Sequence, residues 1–330
     1  MENVLNPPSS MRRRSVLAGL SFACMADGAS WAQASYPSRS IKIIVPFGAG
    51  ASADLITRRV AEAMATSLGQ AVIVENRPGA TGNLGTGVAA KAEPDGYTLV
   101  VASTPNFAIN TALYRQLPFD VDADFSPISL MAEAPNVIAV NPSTGITSMG
   151  DLVVAARRAP GGLAYTSATV GSTGHLLGEL LAARAGIRLI HVPDKDPITL
   201  VLGGHVPMTI FTTASVLPHL RSGRLKALAV TSASRLAVAP DVPTLLEMKG
   251  IDISGTAWYG LVAPRATPAE AQTKLRSAVK SALQTPRVLS ALVDSGHEVR
   301  LLEGSDFGAF MRAERVKWAE AVRLSGARPE

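Results

Sequence analysis

The stretch Ile41-Lys-Ile-Ile-Val-Pro-Phe-Gly-Ala-Gly-Ala-Ser-Ala53, followed by Asp54, decides how the chain is read. Four of its first five residues are β-branched and apolar, which predicts a mostly buried strand. Pro46 ends the strand, because it lacks the N–H that a ladder needs. Residues 48–54 are small at nearly every position, and Leu55, Ile56, Val60, Ala63, Met64 and Leu68 then recur at helical spacing. A strand therefore delivers a bare-backbone loop to a helix N-terminus. Unpaired N–H groups and the positive end of the helix dipole meet there and favour an anion.

The residues alone leave the anion open. Gly48-x-Gly50-x-x-Ala53 fits the dinucleotide fingerprint, and the next predicted strand, Ala71-Val-Ile-Val-Glu75, ends in an acid where a ribose partner would sit. A carboxylate-binding loop is the second reading. A tight strand-to-helix turn with no ligand is the plain alternative.

Working outward, the first 34 residues read as a targeting segment. Arg12-Arg13-Arg14 is a basic n-region, Ser15 to Met25 a short apolar stretch, and Ala32-Gln-Ala34 a cleavage site before Ser35. Arg13-Arg14-Ser-Val-Leu17 resembles a twin-arginine signal, with Val where Phe is usual and Asp27 interrupting the apolar run; a general secretory signal is the other reading. Met11 also serves as a start, because residues 11–34 alone make a signal of ordinary length. The only cysteine, Cys24, lies in this segment, and Ser21 stands where a lipobox wants Leu. The mature chain has no cysteine and so no disulfide. The expected location is periplasmic.

Taking Arg12, Arg13 and Arg14 from the 31 basic residues, and Glu2 and Asp27 from the 26 acidic ones, leaves a net charge of +4. With no Lys/Arg run and few aromatics, nucleic-acid binding is not expected. The remaining ~296 residues exceed one comfortable core and predict two domains. No later stretch is apolar for long enough to span a bilayer.

Strands and helices alternate from Ile41 onward. Ala80-Thr-Gly-Asn-Leu-Gly-Thr-Gly87 opens a helix through Lys91, and Tyr97-Thr-Leu-Val-Val-Ala-Ser103 is a third strand. The alternation predicts an α/β fold with parallel, doubly wound sheets. Ligands of such sheets sit at the carboxyl ends of strands, which brings Ser103, Thr104 and Asn106 near the first loop. Asn136-Val-Ile-Ala-Val140 reads as a strand leaving the first domain. Leu163-Ala-Tyr-Thr-Ser167 feeds a second small, polar loop, Ala168-Thr-Val-Gly-Ser-Thr-Gly174, that opens a helix from His175. Further strands are predicted at 189–193, 206–211 and 225–230, and Ala257–Ala263 reads as a strand returning to the first domain. The chain thus crosses twice, as in a hinged two-lobe body.

At this point a resemblance enters. Tyr36-Pro-Ser-Arg-Ser-Ile-Lys-Ile-Ile-Val-Pro-Phe, Val74-Glu-Asn-Arg-Pro-Gly-Ala, Pro94-Asp-Gly-Tyr-Thr-Leu, His191-Val-Pro, Leu228-Ala-Val-Thr-Ser, Asp241-Val-Pro-Thr and Trp258-Tyr-Gly-Leu-Val-Ala-Pro occur in this order. In this the chain resembles the Bug (TctC-like) family of periplasmic solute-binding proteins of tripartite tricarboxylate transporters. The resemblance covers residues 36–330. It implies a type II periplasmic-binding-protein fold, with two doubly wound α/β lobes around a ligand cleft. The implied division is 35–136 plus 258–330 for lobe 1 and 137–257 for lobe 2. It implies a small carboxylate ligand held by backbone N–H groups and waters, no cofactor, and the membrane components of such a transporter as partners. A monomer is the default for a receptor that opens and closes.

The first loop (Phe47, Gly48, Ala49, Gly50, Ala51, Ser52) and the second (Ala168, Thr169, Ser172, Thr173) fall on the family's two binding loops. Ser103, Thr104 and Asn106 fall on a third lining segment. The chain departs from the family where relatives read His-Val-Pro-Tyr-Lys-Gly: here His191-Val-Pro is followed by Asp194-Lys-Asp196, and Phe211 by Thr212-Thr213 rather than Asp-Asn. If Asp194 and Asp196 face the cleft, they repel the far end of a dicarboxylate and favour a monocarboxylate; a solvated surface turn is the competing reading.

The five histidines are scattered without H-E-x-x-H or H-x-x-E-H spacing, so no metal site is expected. His175 opens a helix beside the second loop and reads equally as a ligand contact or a structural group. Gly171-Ser172-Thr-Gly174 is not a nucleophile elbow. No catalytic residue is assigned. An NAD-binding Rossmann-type enzyme and a serine hydrolase remain the alternatives to a solute receptor.

Overall fold

A computed structural model describes residues 36–194 and 196–328; the targeting segment lies outside the described residues. The strands are β1 (Ile41–Val45), β2 (Val72–Asn76), β3 (Thr98–Ser103), β4 (Phe125–Val140), β5 (Leu163–Ser167), β6 (Leu189–Pro193), β7 (Met208–Thr212), β8 (Lys226–Val230), β9 (Thr256–Pro264) and β10 (Glu298–Glu303). The α-helices are α1 (Ser52–Leu68), α2 (Asn83–Ala90), α3 (Asn110–Leu113), α4 (Met149–Arg158) and α5 (Thr173–Ala185), followed by α6 (Pro197–Leu202), α7 (Thr213–Arg221), α8 (Ala269–Gln284), α9 (Pro286–Asp294) and α10 (Gly304–Ser325).

Two sheets share one strand. The first runs β2-β1-β3-β9-β4, with β10 on the far side of β4. In the second, the last five residues of β4 lie between β7 and β8, and β5 and β6 extend the sheet beyond β7. The expected parallel order holds for β2-β1-β3 and for β6-β5-β7. β9 and β4 enter antiparallel, so both sheets are mixed.

Only 136–140 of β4 was predicted as strand; the observed strand begins at Phe125. Pro127 and Pro135 read as breakers, but each falls where its missing N–H is tolerated. The register slips between Pro127 and Ser129, and at Pro135 the partner changes: Pro135 lies opposite Thr256, Asn136 opposite Thr212.

The apolar pattern explains the layers. β1 sends Ile41, Ile43 and Val45 to one face, against Ile56, Val60 and Met64 of α1 and Leu275 and Val279 of α8. Ile44 points to the other face with Val100, Phe107, Trp258, Phe307 and Trp318. Burial on both faces is what a nearly continuous apolar strand requires. Buried Glu314 accepts from both indoles, Trp258 Nε1 at 3.1 Å and Trp318 Nε1 at 2.8 Å, so neither N–H is stranded in the core.

Candidate functional site

The first loop leaves β1 at Val45 and enters α1 at Ser52. Gly50 adopts a left-handed φ of 82° that a side chain would resist. Its N–H donates to Asp54 Oδ2 at 2.9 Å, and the N–H of Ala51 donates to Gly48 O at 3.3 Å. Asp54 is 2% exposed, and its carboxylate also accepts from Arg58 Nε and Asn76 Nδ2, both at 2.9 Å. Burial alone would raise the Asp54 pKa, but these donors outweigh it and hold the carboxyl below its ordinary range. Asn76 also donates to Phe47 O, tying the loop to the end of β2.

The second loop repeats this geometry residue for residue. Gly171 has φ 77°. Its N–H donates to His175 Nδ1 at 3.1 Å, and the N–H of Ser172 donates to Thr169 O at 3.0 Å. The two helices start from the same backbone: Ala51 has φ −67°, ψ 158° and Ser172 φ −68°, ψ 158°. In each loop a left-handed glycine is fastened by the side chain four residues on, with Asp54 in one and His175 in the other. The N–H groups of Ser52, Ala53 and Asp54 in α1, and of Thr173 and Gly174 in α5, have no intrahelical carbonyl partner; the His175 N–H is taken by Ser172 Oγ.

His175 is therefore a loop fastener, 6% exposed. Accepting at Nδ1 puts its proton on Nε2, which faces Glu179 Oε1 at 4.0 Å. Its ring lies 4.2 Å from that of His191, whose Nε2 pairs with Ser167 Oγ at 2.7 Å. Burial lowers both imidazoles to about 4, with the His175–His191 proximity adding to the effect at His191. Both rings are thus neutral near pH 7. Tyr165 Oη donates towards His175 O and Glu179 Oε1, and burial raises the Glu179 carboxyl pKa.

The structure sorts the remaining predicted residues. Ser103, Thr104 and Asn106 are 0% exposed and bonded internally. Asn106 Oδ1 accepts from Ser103 N and Oγ, and Thr104 Oγ1 accepts from Trp258 N. These side chains brace the loops. Thr173 Oγ1 accepts from Asn136 Nδ2, and Thr212 Oγ1 pairs with Ser215 Oγ. Asp196 is an exposed N-cap on α6, bonded to Thr199 N and Oγ1. For Asp196 the surface-turn reading is the one observed. Asp194 is half-buried, accepts from Asp196 N and donates its own N–H to Ser167 O, which keeps it at the carboxyl edge of β5 and β6.

The sequence reading missed several contributors. Ala80 and Thr81 hold positive φ of 46° and 52° beside the first loop, a strain that clusters at functional sites; nothing in their residue types announces it. Gly82 next to them backs on to Phe47 and Asn106. Asn136 sits where β4 changes partners. Leu113 of α3 packs on Gly171, bringing the second loop against the segment after β3.

The alternative chemistries find little here. Glu75, the would-be ribose partner, is engaged by Lys42 at 3.2 Å and by Arg77, and a pyrophosphate at Gly50 would meet the Asp54 carboxylate. Ser167 does touch an imidazole but is 0% exposed, while Ser172 Oγ caps its helix by accepting from His175 N. Among the described residues, no three His, Cys, Asp or Glu side chains are grouped to hold a metal ion, and no helix is long and apolar enough to cross a membrane.

Two α/β sheets on a shared strand, with helix N-termini at the carboxyl edges of both, define the two-lobe class of periplasmic solute-binding proteins. The pattern of the tripartite tricarboxylate transporter family receptor (TctC) matches residues 56–326, and the chain belongs to that family. It is 33% identical over 323 residues to Protein BugT of Bordetella pertussis, covering 97% of this chain and 99% of that protein. The structure described as R. palustris Rpa4515 with adipate is 31% identical, with a TM-score of 0.81 over 89% of this chain and all of that one. MatC (Rpa3494) from Rhodopseudomonas palustris with bound malate is 28% identical, with a TM-score of 0.76 over 87% of this chain and 100% of that one.

Proposed function

We propose that this chain is an exported, periplasmic, non-enzymatic receptor. It takes a small carboxylate between the loops Phe47–Ser52 and Ala168–Thr173 and delivers it to the membrane components of a tripartite tricarboxylate transporter. Residues 35–136 with 258–330, and 137–257, act as the two lobes, and the receptor works as a monomer. The observation that carries the reading is the duplicated loop: the same backbone, the same left-handed glycine and a side-chain fastener four residues on stand before two helix N-termini. A carboxylate there gains charge-assisted hydrogen bonds from backbone donors that replace part of its hydration. The adipate- and malate-bound relatives support a carboxylate as the ligand class.

Asp194, at the edge of β5 and β6, is the residue to set the far end of the ligand. Its negative charge favours a ligand whose distal group is neutral or cationic. A thermal-shift screen of small carboxylates tests the reading, because a ligand that binds only the folded chain raises its melting temperature. A library without a stabilising carboxylate argues against it. Saturable binding of NAD(H), or ester turnover lost in Ser172→Ala, would instead favour an enzyme.

A further inference from the structure

Away from both loops, a cavity of about 510 Å³ opens between the start of α10, the middle of α8 and the segment after β9. Arg265, Arg276 and Arg312 line it, one from each of these three elements, together with Ser305. Among the described residues none of the three arginines has a carboxylate partner within ion-pair distance, although ten other Lys and Arg side chains do. Arg276 bonds only to neutral groups, Gln272 Oε1 at 3.4 Å and Thr273 Oγ1 at 3.1 Å. Asp122 also lines the cavity, but its carboxylate is engaged by Arg315 at 2.9 and 2.7 Å. Asp306 stands on the same first turn of α10 without lining the cavity.

Glycines make the room. A Cβ on Gly304 would lie 3.5 Å from Arg276 Nη1, and one on Gly308 would lie 3.5 Å from Arg312 Nη1. Both guanidiniums therefore lie over bare backbone in the first turns of α10. Arg265 and Arg312 are exposed and Arg276 half-buried; three like charges around one cavity give it a positive potential that draws an anion.

We propose that this cavity is a second anion site, distinct from the carboxylate loops, that takes a phosphate-type oxyanion. A planar carboxylate matches one guanidinium fork. A tetrahedral dianion presents oxygens in several directions and carries enough charge for three arginines and a serine hydroxyl. The phosphate can come from a soluble anion or from a lipid headgroup.

The probe is pyrophosphate, titrated calorimetrically into the purified chain at low ionic strength. Binding is expected to weaken as salt is added. It is expected to fall at least about tenfold in Arg276→Gln/Arg312→Gln, which removes two charge-assisted donors without breaking an ion pair. Arg39→Gln, which removes a charge that does not line the cavity, leaves it unchanged. Equal melting temperatures of the double variant and the wild type exclude misfolding as the cause. Arg276→Lys/Arg312→Lys keeps the charge but loses the forks, and an intermediate affinity supports guanidinium recognition. Co-sedimentation with phosphatidylcholine vesicles containing phosphatidic acid, lost in the double Gln variant, assigns the phosphate to a lipid. Pyrophosphate binding without co-sedimentation assigns it to a soluble anion. No heat with pyrophosphate and no co-sedimentation, or equal affinities in wild type and double Gln variant, overturns the proposal. Carboxylate binding at the loops is unaffected in every arm, so the two readings fail independently.

Discussion

The Gly171 N–H donates to His175 Nδ1 at 3.1 Å, as the Gly50 N–H donates to Asp54 Oδ2 at 2.9 Å in the other loop. One loop is thus fastened by a neutral ring and the other by a carboxylate, and acid attacks them in different pH ranges. Burial lowers the His175 and His191 pKa values from 6.5 to about 4. The unfolded chain therefore takes up protons near pH 6.5 while the folded chain resists until about pH 4. Their contribution is complete above the unfolded value and is lost as pH falls through that window. Glu179 contributes with opposite sign, because burial raises its carboxyl pKa. The cleaner readout is a difference: the melting temperature of the wild type should fall more steeply between pH 7 and 4 than that of His175→Gln/His191→Gln. Parallel curves would reject the assignment.

Asp54 acts lower on the pH scale. Its carboxyl is held below the ordinary 3.8, so its share of stability persists until pH falls beneath about 4. Asp54→Ala removes the buried carboxylate that ties the Gly50 N–H, Asn76 and Arg58 together. The expected cost is about 2 kcal/mol in urea unfolding at pH 7, with weaker carboxylate binding because the loop is unfastened.

A backbone donor can be deleted without disturbing its helix. Ser52 is the first residue of α1, where proline is accommodated, and Ala51 before it already has the extended conformation that a following proline demands. Ser52→Pro should weaken carboxylate binding about tenfold or more at little cost in stability. The Ser52 hydroxyl also lies near that of Tyr259, whose pKa burial pushes up to about 12, so Ser52→Ala is the control that removes the hydroxyl alone. Ala51→Pro is a poorer test, since that N–H already serves Gly48 O. Equal calorimetric affinities for Ser52→Pro and Ser52→Ala would remove the N–H from the site.

Gly174 has no room for a side chain, because a Cβ there would come within 2.1 Å of Ile210 O. Gly174→Ala must push the first turn of α5 off β7. We expect a loss of about 3 kcal/mol or failure to fold, followed by circular dichroism during urea titration. A fully stable Gly174→Ala would show that the second loop is not seated as described.

The two aspartates between β6 and α6 should separate cleanly. Asp196→Ala loses an N-cap, costs about 1 kcal/mol and leaves affinity unchanged. Asp194→Asn should tighten succinate binding relative to the wild type, because a negative charge leaves the edge beside Ser167. Identical succinate isotherms would place Asp194 outside the ligand's reach.

Legibility followed the range of the interactions. β1, α1 and the second loop were readable because periodicity and small residues are local signals. The duplicated geometry was visible only as a likeness of composition, since Asp54 and His175 share no chemistry at first sight. β4 was half missed, because whether a proline breaks a strand depends on what lies opposite. The bracing roles of Ser103, Thr104 and Asn106 were not readable, because burial at a strand end depends on elements more than 100 residues away, such as Trp258. Asp196 was resolved by a contact three residues on, which the sequence held but did not rank above the alternative.

The passage of β4 through both sheets also determines how the molecule twists. Beside its partner switch, the Asn136 N–H donates to Thr231 Oγ1 at 3.0 Å, the Thr231 N–H donates to Asn136 O at 2.9 Å, and Thr231 Oγ1 donates to Gly255 O at 2.6 Å. Three chain segments are lashed together at one point. One apolar cluster around Trp318 of α10 reaches from Ile44 and Val100 of the first sheet to Met208 and Ile210 of the second, so turning one sheet against the other strains this joint and shears that core. Such a joint resists free rotation, because turning it breaks these hydrogen bonds. It also leaves neither half a complete sheet of its own: a fragment ending near residue 135 would lose the partners that finish its last strand, and heating should melt the whole as a single event.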